Sequence, residues 1–121
     1  MTGPSPHLLV ERRGDILCAR LRSSRLVEME ILDTAQELVD LVRAEKCRGV
    51  ALSLGPKSPE CLYSVFLAKL YWVQRVLGEL GAGLILCEVD PAVHAIFEAC
   101  KLDDQFRFVA DFDAAVAAFK T

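Results

Sequence analysis

Cysteine and histidine are the residue types in this sequence whose spacing would most readily reveal a chemical role. The five cysteines are widely spaced and never form a Cys-x-x-Cys pair, so the sequence predicts neither a metal site nor a disulfide framework. Each lies in apolar sequence, which favours inert core thiols over redox chemistry. His7 and His94 are far apart and fit no pattern of a nucleophilic catalyst, which favours solvated imidazoles. We therefore predict no catalytic residues, no metal and no cofactor.

A loop that follows an apolar run offers a second kind of chemistry, phosphate binding. Residues 55–58 read Gly-Pro-Lys-Ser and resemble the end of a phosphate-binding loop, but the first half of the pattern Gly-x-x-x-x-Gly-Lys-Ser/Thr is missing. Pro56 and Pro59 also lack the backbone N–H groups with which such a loop holds phosphate. A rigid turn is therefore the favoured interpretation.

The composition limits the classes of protein to which the chain can belong. Of its 121 residues, 53% are hydrophobic and 26% are charged, which is typical of one globular domain with a real core. The 14 basic and 17 acidic residues give a formal net charge of −3 and form no basic patch, so we predict no nucleic-acid partner. No apolar run approaches the roughly 20 residues that a membrane span needs, so we predict a cytoplasmic protein without membrane contact. The predicted domain spans residues 1–121, with residues 1–6 as a flexible arm.

Hydrophobic periodicity predicts the element order ββαβαβαβα. Two short strands, Leu8–Glu11 and Ile16–Leu21, form an opening hairpin around a turn that contains Gly14. Strands then alternate with helices, which predicts an α/β domain with a mixed, mostly parallel sheet of about five strands packed with about four helices. The later elements are a helix ending near residue 45, a strand over 49–54, a helix over about 62–80, a strand over 84–87, a helix from Asp90-Pro91, a strand over 106–109 and a helix capped by Asp111.

Two helical details depend on the local sequence. The first helix begins either at Asp33, which with Gln36 resembles a capping box, or within the acid-rich segment 28–32. On the third helix, the spacing separates inward positions from an outward or edge position, which is that of His94. The inward positions are Val93, Ile96, Phe97 and Cys100.

One segment of the sequence resembles a known family. Residues 81–93 read Gly-Ala-Gly-Leu-Ile-Leu-Cys-Glu-Val-Asp-Pro-Ala-Val, which is similar to the pattern G-G-x-L-x-L-x-x-V-x-P-x-V of the STAS family. The likeness continues through 96–97, 101–106 and 113–116, and the element order matches over nearly the whole chain. The resemblance implies the STAS fold. It also implies a non-enzymatic protein-interaction module in bacterial signalling, similar to the anti-sigma factor antagonists.

The family carries its regulatory serine in a D-S-S-G-L segment at the start of the long helix. The resemblance places that segment on residues 63–67, where only Ser64 and Leu67 keep the family's residue types. Tyr63 stands at the acid position, Phe66 at the glycine position and Val65 at the acceptor position. Valine has no hydroxyl, so we predict no phosphorylation at the family's acceptor position.

Ser64 is the alternative acceptor, shifted by one residue. The free N–H groups and the dipole of a helix N-terminus would stabilise a phosphate there. Serine is also common near a helix start as a cap alone. Ser64 would then cap the helix or be exposed to solvent. We keep both interpretations.

The resemblance implies a protein partner, either an anti-sigma factor or its kinase or another signalling protein, that docks at the start of the long helix. Apolar residues there predict an apolar contact surface. Val65, Trp72 and Val76 form a second apolar edge, about 100° around the helix from the sheet-facing stripe. Tryptophan is enriched at interfaces, although a neighbouring element of the same chain could cover this edge. A homodimer is a further option. The predicted partner-binding residues are Tyr63, Ser64, Val65, Phe66, Trp72 and Val76.

The alternative function is a STAS domain that senses a small ligand, either a nucleotide or a lipid. Open α/β sheets bind such ligands at the carboxyl ends of their strands. No binding fingerprint supports this function in the sequence. The residues at that edge are Gly55, Lys57, Ser58, Val89 and Asp90.

Overall fold

Five strands and four helices follow one another within residues 6–120, the part of the chain that this computed structural model describes. The predicted arm, apart from its last residue, lies outside the described residues. The order ββαβαβαβα is confirmed. The elements are β1 (Leu8–Arg13), β2 (Ile16–Leu21), α1 (Glu28–Glu45), β3 (Gly49–Ser53), α2 (Tyr63–Glu79), β4 (Gly83–Cys87), α3 (Pro91–Ala99), β5 (Arg107–Val109) and α4 (Phe112–Phe119).

The strands form one mixed sheet in the order β1-β2-β3-β4-β5. β1 is antiparallel to β2, from Leu8↔Leu21 to Arg13↔Ile16, and the other neighbours are parallel. β3 lies in the middle and all of its residues are buried, as its apolar sequence predicts. The predicted α/β fold with a mostly parallel sheet is therefore confirmed.

The two faces of the sheet bury side chains in separate clusters. The main core joins the sheet to α1, α2 and α3 and includes Leu38, Leu77 and Phe97. The minor core joins the opposite face to α4, around the buried Ala115. Among the described elements, α4 alone contributes helical residues to the minor core. None of the helices between residues 6 and 120 combines the length and the apolar character that crossing a membrane requires.

The first helix begins in the acid-rich segment and not at Asp33. α1 starts at Glu28, and the N–H of Val27 donates to Oε1 of Glu30 at 3.1 Å. Asp33 lies in the second turn, and Gln36 donates to Asp40 at 2.9 Å. The acidic first turn, which complements the helix dipole, therefore marks the start.

The predicted burial along α3 is correct for Val93 and Phe97 but wrong for Cys100. α3 ends at Ala99, so Cys100 lies beyond the helix and is exposed. Ile96 is half-buried against the main core. The buried face of α3 therefore ends at Phe97 and does not include Cys100.

Candidate functional site

The start of α2 lacks the polar cap that a helix commonly has. Its N-cap residue is Leu62, whose side chain is 61% exposed and offers no hydrogen bond. The first turn carries no acidic residue, and the N–H groups of Val65 and Phe66 bond back to the Leu62 carbonyl at 3.1 Å. An exposed leucine therefore occupies a position where serine or aspartate would stabilise the helix.

The predicted contact residues at this helix start differ in accessibility. Ser64 is exposed, and Val65 is half-buried against the main core. Tyr63 is also half-buried, and its hydroxyl donates to the carbonyl of Pro59. Burial raises the pKa of the Tyr63 hydroxyl above its ordinary value.

Phe66 is the one residue of this set for which the prediction of a contact role is wrong. Its side chain is only 3% exposed, because position 66 lies on the sheet-facing line of α2 with Leu70, Val73 and Leu77. The ring also makes an edge contact with Tyr63, with 6.0 Å between centroids. A partner cannot reach Phe66 without unfolding the first turn.

The second apolar edge of α2 is partly covered by the chain itself. Val65 and Val76 pack against the main core and are half-buried, whereas Trp72 is 37% exposed. Nζ of Lys69 lies 5.1 Å from the centroid of the Trp72 ring, a cation–π distance. The indole is therefore the most accessible member of this edge.

The loop before α2, residues 54–62, is fastened to the loop before α1. The N–H of Leu26 donates to the carbonyl of Glu60 at 3.0 Å, and Nε of Arg25 lies 3.2 Å from a Glu60 carboxylate oxygen. This parallel bridge brings the starts of α1 and α2 together. Val27 and Met29, at the start of α1, are 64% and 68% exposed. Sequence reasoning missed these two side chains and Leu62, although an apolar residue at an N-cap position is a signal.

A polar cluster fixes the other end of this loop. Nη1 of Arg20 lies 2.7 Å from Oε1 of Glu88 and 2.9 Å from the carbonyl of Gly55. The Ser53 hydroxyl, which is fully buried, donates to the same Glu88 carboxylate. A Cβ on residue 55 would approach the Glu88 carbonyl to 2.8 Å, so this contact requires glycine. The cluster joins the ends of three strands, and its buried hydroxyl is closed to a substrate.

The five residues predicted for a small ligand are not brought together. Gly55 and Lys57 line a cleft of about 190 Å³, together with Arg20, Arg22 and Ser24 among others. Ser58 and Val89 lie outside the lining of this cleft. So does Asp90, whose carboxylate caps α3 by accepting from the N–H of Ala92 at 2.8 Å.

The thiols are mostly buried, as predicted. Cys18, Cys47 and Cys87 are buried and Cys61 is half-buried, and only the expectation for Cys100 is wrong. Burial raises the pKa of Cys61 to about 11 and that of Cys87 to about 12, so both are protonated and weakly nucleophilic at neutral pH. No group of three or more potential ligands within residues 6–120 could hold a metal ion.

The histidines have closer partners than predicted. Nε2 of His7 lies 3.7 Å from a carboxylate oxygen of Asp33 and 3.6 Å from one of Glu37, so the prediction of a merely solvated imidazole is wrong. His94 is half-buried at an edge, as predicted. Its ring makes an edge contact with Phe108 at 4.7 Å between centroids. Neither histidine lies beside a hydroxyl or thiol nucleophile in these contacts.

Comparison with known proteins identifies the fold. No family model and no curated protein matches the sequence. An anti-sigma factor antagonist from Mycobacterium paratuberculosis matches over 100% of both chains, with 19% identity and a TM-score of 0.75. A STAS domain protein from Planctomyces limnophilus matches over 94% of this chain and 98% of its own, with 17% identity and a TM-score of 0.78.

A third solved structure is the cell fate determinant SpoIIAA of Bacillus in its phosphorylated form. It matches over 92% of this chain and 98% of its own, with 12% identity and a TM-score of 0.67. Identities in this range establish architecture and leave function to be argued from the site. By its element order, its sheet and these likenesses, the chain has the STAS fold.

Proposed function

We propose that this chain is a non-enzymatic protein-interaction module of bacterial signalling, similar to the anti-sigma factor antagonists. The observation that carries the proposal is the exposed Leu62 at the start of α2, where a polar cap would stabilise the helix. The solved structures with the same fold include proteins named anti-sigma factor antagonists. A partner in the control of sigma factors would place the chain in the cytoplasm.

The docking surface that we propose lies at the starts of two helices and consists of Leu62, Ser64 and Val65 at α2 and Val27 and Met29 at α1. Its apolar members are exposed or half-buried, which supplies surface that a partner can remove from water. The loop that carries it is held at Gly55 and at Glu60, so little order has to be gained on binding. Trp72 and Val76 extend the surface along α2.

This surface acts without phosphorylation at the family's acceptor position, because Val65 has no hydroxyl. SpoIIAA, by contrast, is described in a phosphorylated form. Ser64 is exposed and is the alternative acceptor. Incubation with ATP and an anti-sigma factor kinase, followed by mass spectrometry, tests the proposal. We expect no phosphate on the chain, and phosphate on Ser64 would restore a phosphorylation switch.

The test of docking compares two aspartate variants, each at the start of a helix that follows a parallel strand. Leu62→Asp adds a cap to α2 and removes the exposed leucine, so the fold should gain stability while binding is lost. Ala92→Asp adds an acid to the first turn of α3 and is the matched control. We expect an anti-sigma factor, titrated by calorimetry, to bind the wild type and the control and to lose at least tenfold in affinity for Leu62→Asp.

The same pair of variants can be used where the partner is unknown. Proteins from the native lysate that bind the wild type and Ala92→Asp but not Leu62→Asp identify partners of the docking surface. Equal retention by both variants would show that the surface lies elsewhere.

A small-ligand sensor is the second candidate, and the cleft beside Gly55 favours it. Three basic side chains, Arg20, Arg22 and Lys57, line that cleft, which suits an anionic nucleotide or lipid headgroup. A thermal-shift screen with nucleotides and anionic lipids distinguishes this function. A rise in melting temperature that Lys57→Ala removes would support a sensor.

A further inference from the structure

The two edges of the sheet differ in length and continuity. β5 forms one edge and has three residues, whereas β1 forms the other and has six. β1 pairs with β2 in an unbroken register, with no bulge, and contains neither proline nor lysine. Bulges and prolines block many edge strands, and β1 has only its charged residues as protection, so its backbone is open to a strand of complementary charge.

The hydrogen bonds of the hairpin show which backbone groups of β1 face outward. The N–H of Arg22 donates to the carbonyl of His7 at 3.0 Å, so this pair is a hydrogen-bonded one. Such pairs alternate along an antiparallel ladder, so Leu9, Glu11 and Arg13 bond to β2. The N–H and C=O groups of Val10 and Arg12 therefore point away from β2.

The charges of β1 make the strand complementary to itself. Glu11 and Arg13 lie on the same face, two residues apart, with 2.7 Å between Nε of Arg13 and a carboxylate oxygen of Glu11. Nη1 of Arg13 also lies 2.7 Å from Oδ1 of Asp113, so Arg13→Glu removes this ion pair as well and its fold is checked separately. An antiparallel copy centred on Arg12 sets each Glu11 opposite the Arg13 of the other copy. The guanidinium of Arg12 is held on its own chain by Gly14 and Glu45, which reduces repulsion between the two central arginines.

Other registers match the strand less well. A copy centred on Glu11 sets the two Glu11 residues opposite each other and Leu9 opposite Arg13, so it forms no pair of opposite charges between the copies. A copy centred on Val10 sets the exposed Leu9 opposite Glu11.

We propose that β1 pairs in antiparallel fashion with β1 of a second copy of this chain, in the register centred on Arg12. The partner is a second copy because this arrangement has two-fold symmetry and closes after two chains. It joins the two sheets into one and pairs the outward groups of Arg12. The proposal is independent of the docking surface on α2, which uses other elements.

Charge reversal tests both the partner and the register. In the wild type, sedimentation velocity should show a monomer–dimer equilibrium. Glu11→Lys sets like charges opposite each other twice, and Arg13→Glu does the same, so each should weaken dimerisation about tenfold or more. The double variant Glu11→Lys, Arg13→Glu restores both pairs and should regain dimerisation to within about threefold of the wild type.

Trp72→Lys is the control for dimerisation through the competing apolar edge of α2, on which Trp72 is 37% exposed. It should dimerise like the wild type. Circular dichroism and melting temperature show that each variant folds. A wild type that stays monomeric at all concentrations would overturn the proposal, as would a dimer that Trp72→Lys disrupts or that the single charge reversals leave unchanged.

Discussion

Helices α2 and α3 both begin at the carboxyl ends of the parallel strands, after the neighbouring strands β3 and β4, but their first residues differ. α3 has an aspartate cap at Asp90 and a proline in its first position, and its start is fixed by local chemistry. α2 has the exposed Leu62 in the cap position and is fixed by contacts of its loop with distant residues. Stability alone therefore does not determine the residues at the start of α2, as a docking surface requires.

The largest expected effect separates the two sides of the first turn of α2. Phe66→Ala should lower the free energy of unfolding by about 3–5 kcal/mol, because it empties a buried site in the main core. Leu62→Ala should change it by less than about 0.5 kcal/mol, because that side chain is exposed. Urea denaturation measures both values. A large loss for Leu62→Ala would show that this leucine serves folding.

The cap of α3 provides the next test. Asp90→Ala should lower the free energy of unfolding by about 1 kcal/mol, because the N–H of Ala92 loses its acceptor. Asp90→Asn keeps an oxygen at that place and is the matched control, with an expected loss of no more than a few tenths of a kcal/mol. Equal losses for both variants would mean that the charge, and not the cap, stabilises α3.

The converse substitution on α2 should have the opposite sign. Leu62→Asp supplies the missing cap and should raise the free energy of unfolding by about 0.5–1 kcal/mol. Leu62→Asn supplies the cap without the charge and should retain most of the gain. If neither variant is more stable than the wild type, Leu62 does not lower the free energy of unfolding, and the contrast with the capped start of α3 is wrong.

Alkaline pH should destabilise the fold through buried groups that keep their protons, one of which is Cys61, next to the start of α2. Burial raises the pKa of Cys61 from 9.0 to about 11, so above pH 9 the unfolded chain releases a proton that the folded chain keeps. Stability contributed by the neutral thiol is complete below pH 9 and is lost as the pH rises towards 11. We expect a lower urea midpoint at pH 9.5 than at pH 7.5, and a smaller decrease for Cys61→Ala. A midpoint decrease that is the same in both proteins would contradict the assignment to Cys61.

Local signals in the sequence predicted most of the fold. The caps Asp90 and Asp111 start α3 and α4 as predicted, because a cap is a contact between residues two or three positions apart. The apolar run of β3 likewise predicted a buried central strand. These features depend on neighbours in the sequence, which the sequence displays directly.

The candidate site was predicted less completely, because its accessibility depends on tertiary contacts. Phe66 and Leu62 are both apolar and lie in the same turn, yet one is buried and the other is exposed. The cluster of Arg20, Ser53 and Glu88 joins residues 33 and 35 positions apart, so no spacing reveals it. Helical periodicity also places Cys100 inward, but it does not show that the helix ends one residue earlier.

The double fastening of the loop between β3 and α2 makes this domain a scaffold for engineering. Gly55 is held by Arg20 at one end of the loop, and Glu60 is held by Arg25 and Leu26 at the other. Pro56 and Lys57 are exposed between these fixed points. Segments of this kind tolerate exchange and insertion when a rigid framework holds their ends. A library randomised at residues 56–58 would therefore present varied side chains in a constant frame, as the loops of antibodies do.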